Sequence, residues 1–523
     1  MTDKVPVLAI GIDAAEATLV EKLCAEGKLP AIDALMRRGC YGRLDTNATL
    51  FAGGVWPTFL TSSDVPWQGM YHYKMWRHER MRCEVASDEW LHQHTFWEPL
   101  GAGQRVAIVD APMTIKPPNV ANGLQLSGWG THDMIVKGSD PAALWGQLEK
   151  EFGRATMPAE LFGPQTAGTL LRLRDDLLRQ TEQMSRLAES LFSREEWDLF
   201  FIVLGATHRG GHYLWDLSQI DSSSLKPAQR ETLEGALEEI YRACDSAVGR
   251  LVERLPEGGR VMVFALHGMG PNLGWSDLCT DILDQIQGKG GDGGQDAPRT
   301  GLLYGIKRKL PWQLVRQVTM RLPQAVQDRL VSLWSSGMYD WQETRYFPLP
   351  MDLAGYFRVN LKGREPGGIV EPGAEYDAVC AELEEALRGF RDVGTGLPIV
   401  EEVYRRDDLA PPGAPYRDLL PDLVVTWGQV SAIQSRAIRS DRYGELRLDS
   451  GGKLPSGRAG NHTNRGWIVM AGEGIEPGAA LGANHIVDVA PTLLDWLGVE
   501  PPTTFQGRPI QVRHSDKITL NTR

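Results

Sequence analysis

The sequence predicts an α/β protein: a mostly parallel central sheet flanked by helices on both faces, with helical insertions. Three observations predict it. The runs Val7-Leu-Ala-Ile-Gly-Ile12, Leu199-Phe-Phe-Ile-Val-Leu204, Arg260-Val-Met-Val-Phe-Ala-Leu266 and Gly466-Trp-Ile-Val-Met-Ala-Gly472 are apolar without alternation, as strands buried on both faces are. The segments between them carry apolar residues at helical spacing. Each run also has a carboxylate or a histidine at or beside one end, and the carboxyl edge of an open α/β sheet is where ligands bind.

Composition sets the bounds. With 523 residues, 42% of them hydrophobic, the chain can bury a large core and exceeds one minimal domain. A charged fraction of 23% is that of an ordinary globular protein, and a formal net charge of -12 argues against a nucleic-acid or anionic-membrane partner. If phosphate is handled, a local site must do it. The stretch up to Asp13 holds an apolar run too short for a signal peptide and lacks a basic lead. No apolar run reaches membrane-spanning length, so a cytoplasmic protein is expected. Cys24, Cys40, Cys83, Cys244, Cys279 and Cys380 lack paired spacing, which favours reduced, mostly buried thiols over disulfides or a zinc-cysteine framework.

In chain order, strand 7–12 ends in Asp13, and residues 14–38 follow at helical spacing and close on Gly39. Asp13 is either a ligand at the strand's carboxyl end or the N-cap of the next helix. Gly53 and Gly54 ahead of Pro57 predict a helix N-terminus whose backbone N–H groups suit an anion. Residues 105–112 form another strand-to-loop unit, and 141–194 are helical. Strand 199–204 breaks at Gly205, and His208 and His212 follow four apart, a spacing that a helix turns into a pair of metal ligands on one face. Residues 231–255 are an amphipathic helix, and strand 260–266 ends at His267.

The Gly-rich stretch 288–300 is a loop or linker. Residues 307–334, basic and apolar at helical spacing, are a lid or packing excursion. Short strands return at 355–361 and 422–427, and a polar loop over 457–462 carries His462 into strand 466–472. Asp488 caps a helix over 489–497. The organisation expected is a first part of the α/β core over 1–287, an inserted loop and helical lid over 288–340, and a second part completing the core over 341–523.

Asp13, His208, His212, His267 and His462 thus all fall at or next to strand ends. Five nitrogen and oxygen donors in one topological position predict a metal centre. Imidazole and carboxylate without thiolate suit zinc first, with manganese or iron as alternatives.

Several motifs now line up. Gly11-Ile-Asp13 is followed by Gly27-Lys-Leu-Pro-Ala-Ile-Asp-Ala-Leu35 and Gly39; Trp56-Pro-Thr-Phe-Leu-Thr61 by Pro66 and Gly69; Gly460-Asn-His462 by Gly466 and Gly472; and Asp488-Val-Ala-Pro-Thr-Leu-Leu-Asp-Trp-Leu-Gly498 by Gly507-Arg-Pro. In their order and spacing over nearly the whole chain they resemble the alkaline phosphatase superfamily, specifically its type I phosphodiesterase/nucleotide pyrophosphatase branch. The resemblance implies an alkaline-phosphatase-like fold with two metals, usually zinc, on a substrate phosphate. It also implies a Thr or Ser that attacks phosphorus and a metal-activated water that releases the phosphoryl-enzyme.

The active-centre motifs depart from that pattern. The family's Asp-x-x-x-His reads His208-Arg-Gly-Gly-His212, which with His462 makes a three-histidine site. Its Asp-His-Gly reads Leu266-His267-Gly268, leaving Asp13 and His267 for a second metal. The nucleophile position falls on Ala52 counting back from Thr61, or on Val55 aligning on Trp-Pro, and neither has a hydroxyl. Thr49 and Thr58 are the nearby substitutes. Arg209, Tyr213 and Arg458 stand beside ligands and are candidates for a phosphate oxygen. Asn360 and Arg364, in a segment resembling the family's return from its substrate domain, are further substrate-contact candidates.

The function expected is a metal-dependent hydrolase of phosphorus esters, acting on a phosphodiester or related small anionic organophosphorus compound with one or two zinc ions. One-metal hydrolysis by water would dispense with the protein nucleophile. The alternatives are a one-metal hydrolase or transferase acting on a carboxyl, amide or sulfur centre, and a binding protein that kept the fold without catalysis. The sequence leaves the metal count, natural substrate and oligomeric state open.

Overall fold

The computed structural model describes residues 5–288, 339–349, 353–448 and 451–513, apart from residues 92, 132–135, 157, 159–160, 162, 164 and 224. The lid expected over 288–340 lies outside the described residues except at its ends. Among the described residues, nine strands make the central sheet: β1 (Val7–Ile12), β2 (Cys40–Asp45), β3 (Val106–Val109), β4 (Gly123–Ser127), β5 (Gly138–Asp140), β6 (Leu199–Leu204), β7 (Arg260–Ala265), β8 (Gly466–Ala471) and β9 (Asn484–His485). Their order across the sheet is β9-β2-β8-β7-β1-β6-β3-β4-β5.

β1 lies between β7 and β6 and is parallel to both, with Ile10 opposite Val263 on one side and Ile202 on the other. β8 runs antiparallel between β7 and β2. Its N-terminal end therefore meets the carboxyl end of β7. That reversal brings the segment before β8 to the edge at which β1, β6 and β7 finish.

The unbroken apolar runs are explained by cores on both faces. Leu8, Ile10, Phe200, Ile202, Val261 and Val263 join one core, while Ala9, Phe201, Met262 and Phe264 join the other. The helices that matter to the site are α1 (Val55–Thr61), α2 (Ala167–Phe192), α3 (Ala206–Leu214) and α4 (Pro227–Val252). α2 and α4 cover the first core. α1 lies in the second, where the Phe59 ring sits 5.9 Å from Phe201 and 5.3 Å from Phe264. Fully burying a ring of this size is worth about 1.5–3 kcal/mol, which fixes α1 beneath the sheet edge.

Of the second part, β8 and β9 enter the central sheet. The strands Tyr346–Leu349, Gly355–Val359, Leu423–Trp427 and Val400–Arg405 form a separate antiparallel sheet in that order. Tyr356 and Val424 face the core that holds Trp56, and Phe357, Leu423 and Val425 face a third core with the helix Ala374–Arg388. The period of two is that of a strand buried on both sides.

Several boundaries differ from expectation. The helical region 141–194 divides into Ala143–Phe152 and α2, and α4 starts at Pro227, where the fixed φ of proline suits a first turn. His462 sits on a short strand, Gly460–Thr463, rather than in a loop; it pairs antiparallel with Gly268–Pro271, Met269 opposite His462. Asp488 does not cap the following helix with its side chain. Its carboxylate accepts from the backbone N–H groups of His485 and Arg508, both at 2.9 Å. All six cysteines are buried and free. Among the described residues, no helix is long and apolar enough to cross a membrane.

Candidate metal centre

Three adjacent strands deliver the centre. β1 runs into Asp13, β6 turns through Gly205 into α3, and β7 runs on to His267. Because α3 is helical throughout, His208 and His212 lie one turn apart on one face, and their Nε2 atoms are 3.1 Å apart. The two glycines between them have packing roles. A Cβ on Gly211 would stand 2.5 Å from Met269 Cγ, and one on Gly460 would stand 2.1 Å from Gly211 O. α3 is thus seated against the paired strands that carry Met269 and His462.

The ligand atoms of His208, His212 and His462 lie within 4.8 Å of one another. His267 adjoins them, its Nδ1 3.3 Å from His462 Nδ1. Hydrogen bonds decide which nitrogens of the first pair face inward. Asp13 Oδ2 lies 2.8 Å from His208 Nδ1, and Gly460 O lies 3.0 Å from His212 Nδ1. An ionised carboxylate and a carbonyl only accept, so each Nδ1 donates and the two Nε2 atoms face each other. Burial, then the charges of Arg458, His462 and His208, hold the His212 pKa well below the usual imidazole range, in the form that offers a lone pair.

Asp13 is itself fixed. Its Oδ1 accepts from Trp56 Nε1 at 2.8 Å and lies 3.6 Å from His267 Nε2. Burial raises its pKa, but His208, His267 and the Trp56 bond outweigh it and bring the value to about 2. Trp56 can reach it because residue 11 is glycine. A Cβ there would stand 3.0 Å from Trp56 Cη2 and 3.2 Å from Val203 Cγ2.

A cavity of about 40 Å³ opens on the histidines; Ala52, Gly53, His72, Tyr73, Met113, Tyr356 and Arg458 contribute to its wall. Of the two registers for the nucleophile, Ala52 is at this wall and Val55 is packed in the core. Thr58 is fully buried in α1, its hydroxyl without a partner among the described residues. Thr49 is off the cavity, its hydroxyl accepting from Asn464 Nδ2 at 2.7 Å. Of the candidate phosphate contacts, Arg458 lines the cavity. Arg209 donates to Pro158 O at 2.7 Å and Tyr213 to Leu161 O at 2.8 Å, and neither is in the wall.

Asn360 and Arg364 lie in the antiparallel sheet region. Asn360 Nδ2 donates to the carbonyls of Trp341, Thr344 and Gly367, and Arg364 grips Asp422 through two bonds at 2.7 and 2.6 Å. Gly53 and Gly54, expected at an anion-binding helix start, are places of close approach. A Cβ would stand 2.7 Å from His72 Cα at the first and 2.6 Å from Val65 Cγ2 at the second.

The sequence did not single out Trp56, His72, Tyr73 or Glu16 as parts of the centre. Glu16 is buried, and its carboxylate accepts from Thr463 Oγ1 and Thr18 Oγ1, each at 2.8 Å, anchoring the strand that carries His462. Its signal was an acidic residue just past Asp13 at the same strand end. For His72 and Tyr73 the signal was a His-Tyr pair just after the Gly69 turn.

Residues 7–437 match the family model described as type I phosphodiesterase / nucleotide pyrophosphatase. No curated protein sequence matches the chain. Among solved structures, phosphonoacetate hydrolase from Sinorhizobium meliloti 1021 in complex with phosphonoformate superposes with a TM-score of 0.52 at 13% identity, covering 95% of this chain and 96% of that one. The same enzyme in complex with phosphonoacetate gives 0.50 at 14% over the same shares. Human ectonucleotide pyrophosphatase / phosphodiesterase 5 gives 0.45 at 12%, again over 95% and 96%. The first two likenesses, at these identities, speak to the fold. With the family model spanning most of the length, the chain belongs to the type I phosphodiesterase / nucleotide pyrophosphatase family.

Proposed function

We propose that this chain is a metal-dependent hydrolase of phosphorus esters, with a divalent cation held by His208, His212 and His462. The observation that carries this is the pair of inward Nε2 atoms 3.1 Å apart, with a ligand atom of His462 within 4.8 Å. Three imidazole nitrogens converging beside a cavity are the donor set of a catalytic zinc site, and manganese or iron fits the same donors. Bound there, such an ion supplies Lewis acidity to a phosphoryl oxygen and acidifies water.

The remaining roles belong to the chain. Asp13 keeps the proton on His208 Nδ1 and so the lone pair on Nε2, and Trp56 holds Asp13 in place. With both carboxylate oxygens so engaged, we assign Asp13 to orienting a ligand rather than to a second ion. His267 packs between Asp13 and His462 and supports both. Arg458, at the wall beside His212, binds a phosphoryl oxygen. Ala52 leaves the nucleophile's place without a hydroxyl, so water attacks phosphorus, and the substrate is a phosphodiester or related small organophosphorus anion. Ala52 also favours a second reading, a protein that binds phosphoryl groups without turning them over.

The test is to load the protein with zinc, manganese or iron, measure bound metal per chain, and screen aryl phosphomonoesters, phosphodiesters, phosphonates, sulfates and carboxyl esters. About one bound ion, lost in both His208→Ala and His462→Ala, together with turnover of phosphorus esters, is expected. Metal retained in both variants would sink the ligand assignment. Stoichiometric metal with phosphate binding but no turnover would select the second reading.

A further inference from the structure

The chamber at the histidines is small. At about 40 Å³ it has a tenth of the room of the cavity next to it, and it suits a compact phosphoryl group. Whatever the phosphorus carries must extend elsewhere. Met113 belongs to the wall of this chamber and also to that of a second cavity of about 400 Å³, which is further lined by Leu60, Leu91, Trp97 and Ile115. That cavity in turn shares Trp97, Glu98 and Asn119 with a third, of about 420 Å³. Met113 is held in the left-handed region at φ 56°, as is Asp110 at 60°, so the loop leaving β3 is sharply bent where this residue borders both spaces.

Resting on the reading that the histidine chamber takes the phosphoryl group, we propose that the cavity beyond Met113 is the subsite for the substrate's organic group, and that this group is neutral and aromatic. The lining chemistry selects it. Leu60, Leu91, Trp97 and Ile115 give the apolar part of the wall, with one indole for stacking, and Thr95, Thr114, Asn119 and Gln125 give a neutral polar part. The charged residues at the slot are Asp88, Glu98 and Lys116, and the Lys116 ammonium is committed to Glu98 Oε1 at 3.0 Å and Gln93 O at 3.1 Å. The wall therefore has no surplus positive charge for a second phosphate. A polyphosphate tail is disfavoured, and an aryl ester or aryl phosphonate is favoured.

Binding of inorganic phosphate, methylphosphonate, phenylphosphonate and 1-naphthylphosphonate to the metal-loaded full chain, by calorimetry, tests this without relying on turnover. Affinity is expected to rise by about tenfold from methyl to phenyl, as burial of a ring predicts, and again to naphthyl. Asn119 is an exposed residue on the walls of both outer cavities, so Asn119→Trp fills the slot without touching the core or the histidines. In that variant the gain from aryl groups is expected to vanish while phosphate and methylphosphonate bind as before. Equal affinity for methyl and naphthyl in the native protein, or an aryl gain that survives both Asn119→Trp and Leu91→Trp, would overturn the subsite. Failure of phosphate and methylphosphonate to bind at all would overturn the phosphoryl chamber itself, and is distinct from either result.

Discussion

In the antiparallel sheet, fully buried Arg358 donates to Glu365 at 2.6 Å and to the carbonyls of Asp418 and Leu420 at 3.0 and 2.9 Å. Arg364 clamps Asp422, which also accepts from Tyr376 at 2.7 Å. At the edge of the central sheet, by contrast, one carboxylate, Asp13, serves a cluster of four imidazoles with Arg458 beside it, and the Nε2 atoms of His208 and His212 face each other. Both clusters are buried and polar, yet only the first balances cations against anions within itself. A network of paired charges of that kind rigidifies a core, whereas a nitrogen-rich cluster suits a cation. Burial of polar groups alone does not mark a functional site; how charge is balanced within the cluster is the better guide.

The contrast is broken most sharply at the ligands. His208→Ala is expected to remove the metal and to lower turnover on the order of 10³-fold, with little change in the unfolding midpoint of the metal-free protein. Metal stoichiometry and kcat/KM measured side by side check it. Next in size, Asp422→Asn is expected to cost about 3–5 kcal/mol of stability, because Arg364 is left buried and uncompensated, while bound metal stays the same. Denaturant unfolding with a metal assay reads both quantities. If Asp422→Asn empties the metal site, the two clusters are coupled and the contrast fails.

The same pair of carboxylates gives a finer division. Asp13→Asn is expected to weaken metal affinity by about 10–100-fold, since the amide no longer fixes the His208 tautomer. Competition with a chelator measures this. For Asp422, burial raises the pKa, but Arg364 and then Arg358 and Arg406 hold it below the usual carboxylate range. A depressed folded-state pKa means that its stabilisation is fully present above the unfolded value of about 3.9 and is lost as pH falls through the folded one. Asp422→Asn should therefore flatten the acid limb of the stability curve, and an unchanged limb would assign acid sensitivity to other groups.

How much of this was legible follows from the physics of each element. β1, β6, β7 and β8 were visible because a strand buried on both faces must be apolar at every position, and the ligand types stood at their ends. That His462 would reach the same edge depended on β8 running antiparallel to β7, a pairing no local pattern encodes. The register that puts Ala52, not Val55, at the cavity depended on a short turn at residues 52–54 before α1. Asn360 and Arg364 looked like substrate contacts because polar side chains after a strand do; their partners are carbonyls and carboxylates far along the chain. Gly53 and Gly54 read as an anion site, and what they, Gly210 and Gly211 supply is room.

That room gives the smallest and most discriminating prediction. A methyl group at residue 211 would meet Met269 Cγ at 2.5 Å and Cβ at 3.1 Å, on the strand paired with that of His462. A methyl group at residue 210 would meet only the tip of Ile240, Cδ1 at 3.0 Å, and Leu237 Cδ1 at 3.3 Å, on α4. Overpacking of this kind costs about 1–3 kcal/mol, so Gly210→Ala and Gly211→Ala should both lower stability, the former at the low end because two leucine-like tips can turn aside. The metal separates them. Relief at residue 211 requires α3 to lift from the strand pair, which carries His208 and His212 away from His462 and weakens chelator-resistant metal binding. Relief at residue 210 moves α4 side chains on the opposite face and leaves the three nitrogens where they were. Equal metal affinity in the two variants would mean that the seat of α3 on the Met269 strand does not set the ligand geometry.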